Sequence, residues 1–137
     1  TSMPEIAAGG RIAFDNDGFV YFSVGMKGPM EHIGVQDLSL PYGKIMRVHD
    51  DGRIPLDNPF LKDPTAIKAI WSYGHRNPQG LEFNNETNEL WSSEMGPRGG
   101  DEINLIQPGL NYGWPLISKG VDYTGKPLNF AKIHLGK

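Results

Sequence analysis

The stretch Tyr73-Gly74-His75-Arg76-Asn77-Pro78-Gln79-Gly80 sets an imidazole, a guanidinium and two side-chain amides among glycines and a proline. An Arg beside an Asn suits a ligand with several oxygens, because the guanidinium offers a planar fork of donors. The same residues also read as a loop that hydrogen-bonds its own backbone. A second block, Ser93-Glu94-Met95-Gly96-Pro97-Arg98-Gly99-Gly100-Asp101-Glu102, carries glycines that let backbone carbonyls approach a ligand closely. Carbonyls and carboxylates are the hard oxygen donors that calcium prefers. Spacing alone favours a plainer arrangement, a solvated strand entry in which Asp101 and Glu102 pair with Arg98. The third block, Pro108-Gly109-Leu110-Asn111-Tyr112-Gly113-Trp114-Pro115, makes a rigid corner and reads as a plug between structural units rather than a ligand platform. Trp71 and Trp91 read as core.

Other chemistries find no support. There is no G-x-S-x-G elbow, Walker loop, H-E-x-x-H or dinucleotide-binding glycine pattern. His32, His49, His75 and His134 lack metal-type spacing. Asp15-Asn16-Asp17-Gly18 departs from the EF-hand spacing and reads as a turn. The 137 residues contain no cysteine, which removes disulfides, zinc-thiolate sites, iron–sulfur clusters and thiol nucleophiles together. A net charge of −3 argues against a nucleic-acid or acidic-membrane partner. No run approaches the roughly 18 apolar residues of a membrane span. The opening Thr1-Ser2-Met3-Pro4-Glu5 has neither the basic start nor the apolar block of an export signal.

Short strands must position these blocks. With 18 Gly and 11 Pro in a chain that is 38% hydrophobic, the composition is that of a folded, turn-rich protein. Gly10-Arg11-Ile12-Ala13-Phe14 and Phe19–Val24, joined by Asp15-Asn16-Asp17-Gly18, predict a hairpin. Residues 25–42 read as a loop and Lys44–Val48 as a further strand. Residues 53–64 hold Pro55, Pro59 and Pro64, which exclude a regular helix. The pattern then recurs: residues 80–83 and 89–93 form a hairpin around Asn84–Asn88, and residues 101–106 form an outer strand. Phe14 corresponds to Phe83 and Ile45 to Ile103, so the chain holds a degenerate internal repeat. Repeats of about 40–50 residues built from short antiparallel strands are the signature of β-propeller blades.

The expected fold is therefore all-β: β-propeller blades with long loops, one partial domain over residues 1–137. Its units lie at about 8–50 and 70–107, with an incomplete unit at 111–137. A propeller stopped after about three blades exposes two sheet-bearing flanks. This predicts that the chain meets further blades, or closes a ring with partner chains or copies of itself.

Three segments together carry a family resemblance. They are Trp71–Leu81, Ser93–Ile106 and Asn111–Pro115, with further matches at Gly9–Phe14, Gln36-Asp37-Leu38 and Gly43-Lys44-Ile45. Over most of residues 8–115 the chain resembles the soluble PQQ-dependent aldose (glucose/sorbosone-type) dehydrogenases. The resemblance implies a six-bladed propeller that oxidises the anomeric carbon of an aldose sugar to a lactone. It implies pyrroloquinoline quinone (PQQ) and calcium as cofactors, and a periplasmic or secreted location. By the same resemblance, Arg76 and Asn77 touch the quinone end of PQQ and carry the catalytic role. The carbonyls of Gly96 and Pro97 ligate the cofactor's calcium. Glu102 and the carbonyl of Tyr112 ligate a further, structural calcium.

The chain departs from the family pattern in three places. The catalytic base, a His just before Gly-Gly-Arg, is matched here by Ala7, which cannot accept a proton; Glu5 is the nearby candidate substitute. The first hairpin continues as Val24-Gly25-Met26-Lys27, where the family often has an acidic residue. The basic residues that bind the cofactor's carboxylates belong to later blades. These departures leave an alternative: a non-catalytic propeller segment for glycan or protein binding, or for self-assembly.

Overall fold

The computed structural model describes residues 9–26, 32 and 34–134. Among the described residues there are nine strands: β1 (Ile12–Phe14), β2 (Phe19–Val24), β3 (Lys44–His49), β4 (Ile70–Tyr73), β5 (Pro78–Asn84), β6 (Glu89–Glu94), β7 (Glu102–Ile106), β8 (Ile117–Ser118) and β9 (Ile133–His134). Among the described residues there is no helix. The first sheet is an antiparallel meander in the order β1-β2-β3-β4, and the second follows as β5-β6-β7. The short strands β8 and β9 pair in parallel.

Both hairpins form for the same local reason. Asp15 Oδ1 accepts the backbone N–H of Asp17 and Phe19, each at 2.9 Å. Asn84 Oδ1 accepts those of Glu86 at 2.9 Å and Thr87 at 3.3 Å. An Asx side chain thus closes each turn on its own backbone. The two tips are tied together, since Asn16 Nδ2 donates to the Asn85 carbonyl at 3.0 Å.

Alternation along the strands then builds the core. Ala13, Tyr21 and Ile45 face Leu81, Leu90 and Ile106 across the space between the sheets, with Trp71, Phe83 and Tyr112 at its rim. Burying each large member contributes about 1.5–3 kcal/mol. On the other face of the first sheet, Met46, Ala69 and Ile70 are covered by Phe22, Leu38, Ile54 and Phe60. The proline-rich link 53–69 therefore wraps over that face as turns. β1 and β5, the first strand of each sheet, pack beside each other. Two successive meanders stacked with their first strands together are adjacent blades of a β-propeller, here a partial one.

Two expectations change. Residue 70 does not open the second unit: Ile70–Tyr73 pairs with β3, through a register shift at Ile45/Met46, and completes the first sheet. The second sheet begins at Pro78. Trp91 is not core, because it lies on the outward phase of β6 and is 38% exposed. Trp114 is the expected plug, buried with Val35 and Leu128.

Candidate functional site

The four residues Gly74–Asn77 link the last strand of the first sheet to the first strand of the second. They must cross three strand spacings, about 14 Å at ~4.8 Å each. Five Cα steps reach at most about 17 Å, so the link is a nearly extended strap. It fastens in turn to the ends of the strands it passes. His75 N–H donates to the Gly43 carbonyl at 3.2 Å, just before β3. The Arg76 carbonyl accepts from Met26 N–H at 2.9 Å, just beyond β2. Gly9, ahead of β1, lies against Asn77 and Pro78. Gly74 starts the strap at φ +80°, and a Cβ there would sit 2.1 Å from Asn111 Oδ1. Only glycine fits that turn and that approach.

A buried carboxylate anchors the strap. Glu94 Oε2 accepts Arg76 N–H at 2.7 Å. Its Oε1 accepts from His75 Nδ1 at 3.1 Å and from Asn104 Nδ2 at 3.0 Å. His75, fully buried, continues through Nε2 to Ser72 Oγ at 2.8 Å. Burial pushes the Glu94 carboxyl up, but the His75 ring and the N–H groups of Arg76 and Asn77 outweigh it and hold it below its ordinary value. An ionised carboxylate only accepts, so His75 Nδ1 carries a proton. The His75 ring stacks on Tyr112 at 4.7 Å. The Tyr112 hydroxyl donates to the Leu105 carbonyl at 2.6 Å and accepts Gln107 N–H at 2.8 Å.

On this anchor the Arg76 guanidinium is aimed. Its NH1 donates to the carbonyls of Met95 at 2.9 Å and Gly96 at 2.7 Å. Its NH2 donates to the Tyr123 hydroxyl at 3.3 Å. Its Nε is buried with no hydrogen-bond partner among the described residues. The charge also lies 5.3 Å from the centre of the Trp114 ring. Asn77 is half-buried; its Oδ1 accepts from Gln79 Nε2 at 2.7 Å and its carbonyl accepts Met95 N–H at 3.1 Å.

The loop after β6 is folded tightly on itself. A Cβ on Gly96 would lie 2.1 Å from the Gly99 carbonyl oxygen and 2.7 Å from that of Gly100. Gly96 N–H donates to Asp101 Oδ1 at 2.9 Å, so Asp101 caps this loop in place of the expected pairing with Arg98. Arg98 instead bridges by backbone to Val121 in both directions, at 3.1 and 3.2 Å. That bridge carries Tyr123 over the site.

Of the residues singled out in the sequence, Arg76, Gly96, Pro97, Glu102 and Tyr112 line one small cavity of about 20 Å³, together with Glu94. That is the size of one water or ion. Asn77 stands beside it, held through Met95. Ala7, Glu5 and Lys27 lie outside the described residues. Sequence reasoning missed roles for Glu94 and Tyr123. Glu94 had a legible signal: it falls in the buried phase of β6 with Leu90 and Ser92, where a carboxylate needs several donors. Tyr123 gave none, since its link to Arg76 spans 47 residues.

Comparison with known proteins gives the family. The profile of the Glucose / Sorbosone dehydrogenase family matches residues 2–135. The chain is 46% identical over 134 residues to the aldose sugar dehydrogenase YliI of Escherichia coli (strain K12), covering 95% of this chain and 36% of that protein. It is 35% identical over 133 residues to quinoprotein glucose dehydrogenase B of Acinetobacter calcoaceticus, covering 85% and 27%. A crystal structure of the apo-form soluble aldose sugar dehydrogenase of Escherichia coli superposes with a TM-score of 0.88 at 44% identity, covering 97% of this chain and 39% of that one. The PQQ-bound aldose sugar dehydrogenase of Streptomyces coelicolor gives 0.70 at 39% identity, covering 90% and 34%. The chain thus spans roughly a third of the length of these relatives. With two blades, a strap carrying Arg and Asn, and a family profile matched from residue 2 to 135, the chain belongs to the glucose/sorbosone dehydrogenase family.

Proposed function

We propose that this chain supplies the Arg–Asn and calcium half of a PQQ site in a propeller that oxidises aldose sugars to lactones. The observation that carries the reading is the Arg76 guanidinium, buried and fixed on two carbonyls, with an N–H of NH2 left for a ligand oxygen. A donor held this way needs no reorganisation when negative charge grows on the oxygen it faces.

The residues fit a cation as well. Among the described residues no group of three or more His, Asp or Glu could hold a metal, so a cation would rest on carbonyls and isolated carboxylates, as calcium accepts. Glu94 and Glu102 are opposite one another in the β6–β7 ladder and line the same cavity. Facing like charges favour a counter-ion between them. The Gly96 carbonyl gives one lone pair to Arg76 and keeps its second. In this reading Gly96 and Pro97 hold the cofactor's calcium, and Glu102 with the Tyr112 carbonyl holds the structural one. When bound, the quinone supplies two-electron acceptor chemistry and the calcium a fixed positive charge beside it.

The chain's own residues bind and orient. Arg76 and Asn77 would hold the quinone end of the cofactor, and Glu94 with His75 keeps the strap that carries them still. Trp114 and Tyr112 close the floor. Ala7 offers no base, so proton removal from the sugar hydroxyl falls to another group, with Glu5 the nearby candidate. The remaining blades, supplied by further chain or by partner chains, complete the site. Alone, the chain is inactive. The resemblance also supports a periplasmic or secreted setting.

The test is turnover. A polypeptide carrying this chain with the remaining blades, given PQQ and calcium, reduces a dye acceptor with at least one common aldose. Failure with every aldose under those conditions counts against the assignment.

A further inference from the structure

Two segments singled out in the sequence, Gln36-Asp37-Leu38 and Asn111–Pro115, meet in the fold. The side-chain amides of Gln36 and Asn111 form a reciprocal pair. Gln36 Nε2 donates to Asn111 Oδ1 at 3.1 Å, and Asn111 Nδ2 donates to Gln36 Oε1 at 2.7 Å. A primary amide has a second N–H, and that of Gln36 donates to the Trp114 carbonyl at 2.5 Å. Trp114 N–H donates in turn to the Gly74 carbonyl at 2.9 Å. Trp114 is thus gripped at both polar groups of its backbone, by the start of the strap and by a side chain of the first blade. Its ring is buried, and the Arg76 guanidinium lies 5.3 Å from the ring centre. Gln36 is itself held in place by a buried charge. Lys44 Nζ donates to the carbonyls of Val35 at 2.8 Å and Tyr42 at 2.6 Å, the two ends of the loop that carries Gln36. Val35 also packs in one cluster with Trp114.

We propose that Gln36 is a positioning residue for the cofactor site: through Asn111 and the Trp114 carbonyl it fixes the corner beside which Arg76 is set. The proposal rests on the reading of Arg76 as a residue that holds the quinone end of the cofactor. Gln36 touches neither the cavity nor Arg76, so it acts only through the corner. A donor is most effective when its surroundings are ordered before the ligand arrives. Without the Gln36 amide, Trp114 keeps its bond to Gly74 and loses its tie to the first blade. The chemistry required at position 36 is specific, because the side chain must donate twice and accept once. A carboxylate of the same length accepts from Asn111 but donates to neither Asn111 Oδ1 nor the Trp114 carbonyl.

The experiment is a double-mutant cycle between positions 36 and 76 in the polypeptide that carries the remaining blades. PQQ affinity is read by quenching of tryptophan fluorescence with calcium present, well below the thermal midpoint of each variant. Q36M keeps the length of the side chain and removes its hydrogen bonds; it is expected to weaken PQQ binding by about 5-fold. Q36E, which keeps only the acceptor, should fall at least as far. R76A is expected to weaken binding by about 10-fold or more. In the R76A background Q36M should cost no more than about 2-fold further, because a residue that acts through Arg76 has nothing left to position. A purely structural role would instead lower the thermal midpoint of Q36M and leave its PQQ affinity unchanged, which overturns the proposal. Wild-type affinity in Q36E overturns it too, and so does a Q36M loss that adds in full to that of R76A. An R76A variant that binds PQQ as tightly as the wild type overturns the reading of Arg76 itself, and this proposal with it.

Discussion

Glu94 and Glu102 face each other across the β6–β7 ladder, and the amide of Asn104 donates to both, at 3.0 Å and 3.2 Å. The two N–H groups of one neutral amide relieve the repulsion between the carboxylates only in part. Glu94 is otherwise committed to the strap, so Glu102 is the carboxylate with capacity left for a cation.

Calcium removal should therefore destabilise the protein through Glu102. With calcium 100-fold above its dissociation constant, binding stabilises the folded state by about 2.7 kcal/mol. A chelator is expected to lower the thermal midpoint of the wild type by several degrees and to leave E102Q nearly unmoved. Equal chelator shifts in both would remove Glu102 from the ligand set.

Arg76→Lys should retain charge and lose function. A lysine ammonium cannot sit on the Met95 and Gly96 carbonyls while also reaching Tyr123 and a ligand. Loss of this donor is expected to cost about 10²–10³ in kcat in the polypeptide with the remaining blades. Steady-state kinetics under saturating PQQ measure it, and a lysine variant within a few-fold of wild type would show that charge alone suffices.

The candidate site was legible only where local chemistry writes itself into neighbouring residues. The hairpins were, because Asp15 and Asn84 close their own turns within four residues. β4 was assigned to the wrong side of the boundary, because Gly74–Asn77 has the length of an ordinary turn; only the sheet order shows that it crosses a whole blade. Trp91 was read as core from its type, but its phase on β6 points outward. Arg76, Gly96, Pro97, Glu102 and Tyr112 were named from a resemblance, and the strap with its Glu94 anchor supplies the physical reason that they meet. Tyr123 was invisible because a loop-to-loop contact leaves no periodic trace.

Gly74→Ala tests the strap directly. The added methyl would need φ +80° and would strike Asn111 Oδ1 at 2.1 Å. A strained left-handed residue costs of order 1–3 kcal/mol before the clash is counted. Chemical denaturation should show at least that loss, whereas a neutral substitution would mean that the strap has room to relax.

Lys44 predicts an alkaline rise in stability. It is fully buried, and its Nζ donates to the carbonyls of Val35 at 2.8 Å and Tyr42 at 2.6 Å. Burial lowers its pKa to about 8, with Asp37 opposing. Above that value the folded state holds fewer protons than the unfolded one, so stability increases with pH until the unfolded lysine also titrates. Between pH 8 and 10 the gain is about 2 kcal/mol. Denaturation midpoints across that range should climb in the wild type and stay flat in K44M. Parallel profiles would place the lysine's charge in solvent.

In the proposed reading, the Arg76 strap and the Gly96 loop capture PQQ in a calcium-dependent way. Titrating PQQ into the polypeptide with the remaining blades, with calcium and then with excess chelator, reads it through tryptophan quenching. Saturable quenching that the chelator abolishes, and that R76A weakens by about 10-fold or more, is the predicted result. Quenching indifferent to both chelator and Arg76, or none at all, would contradict it.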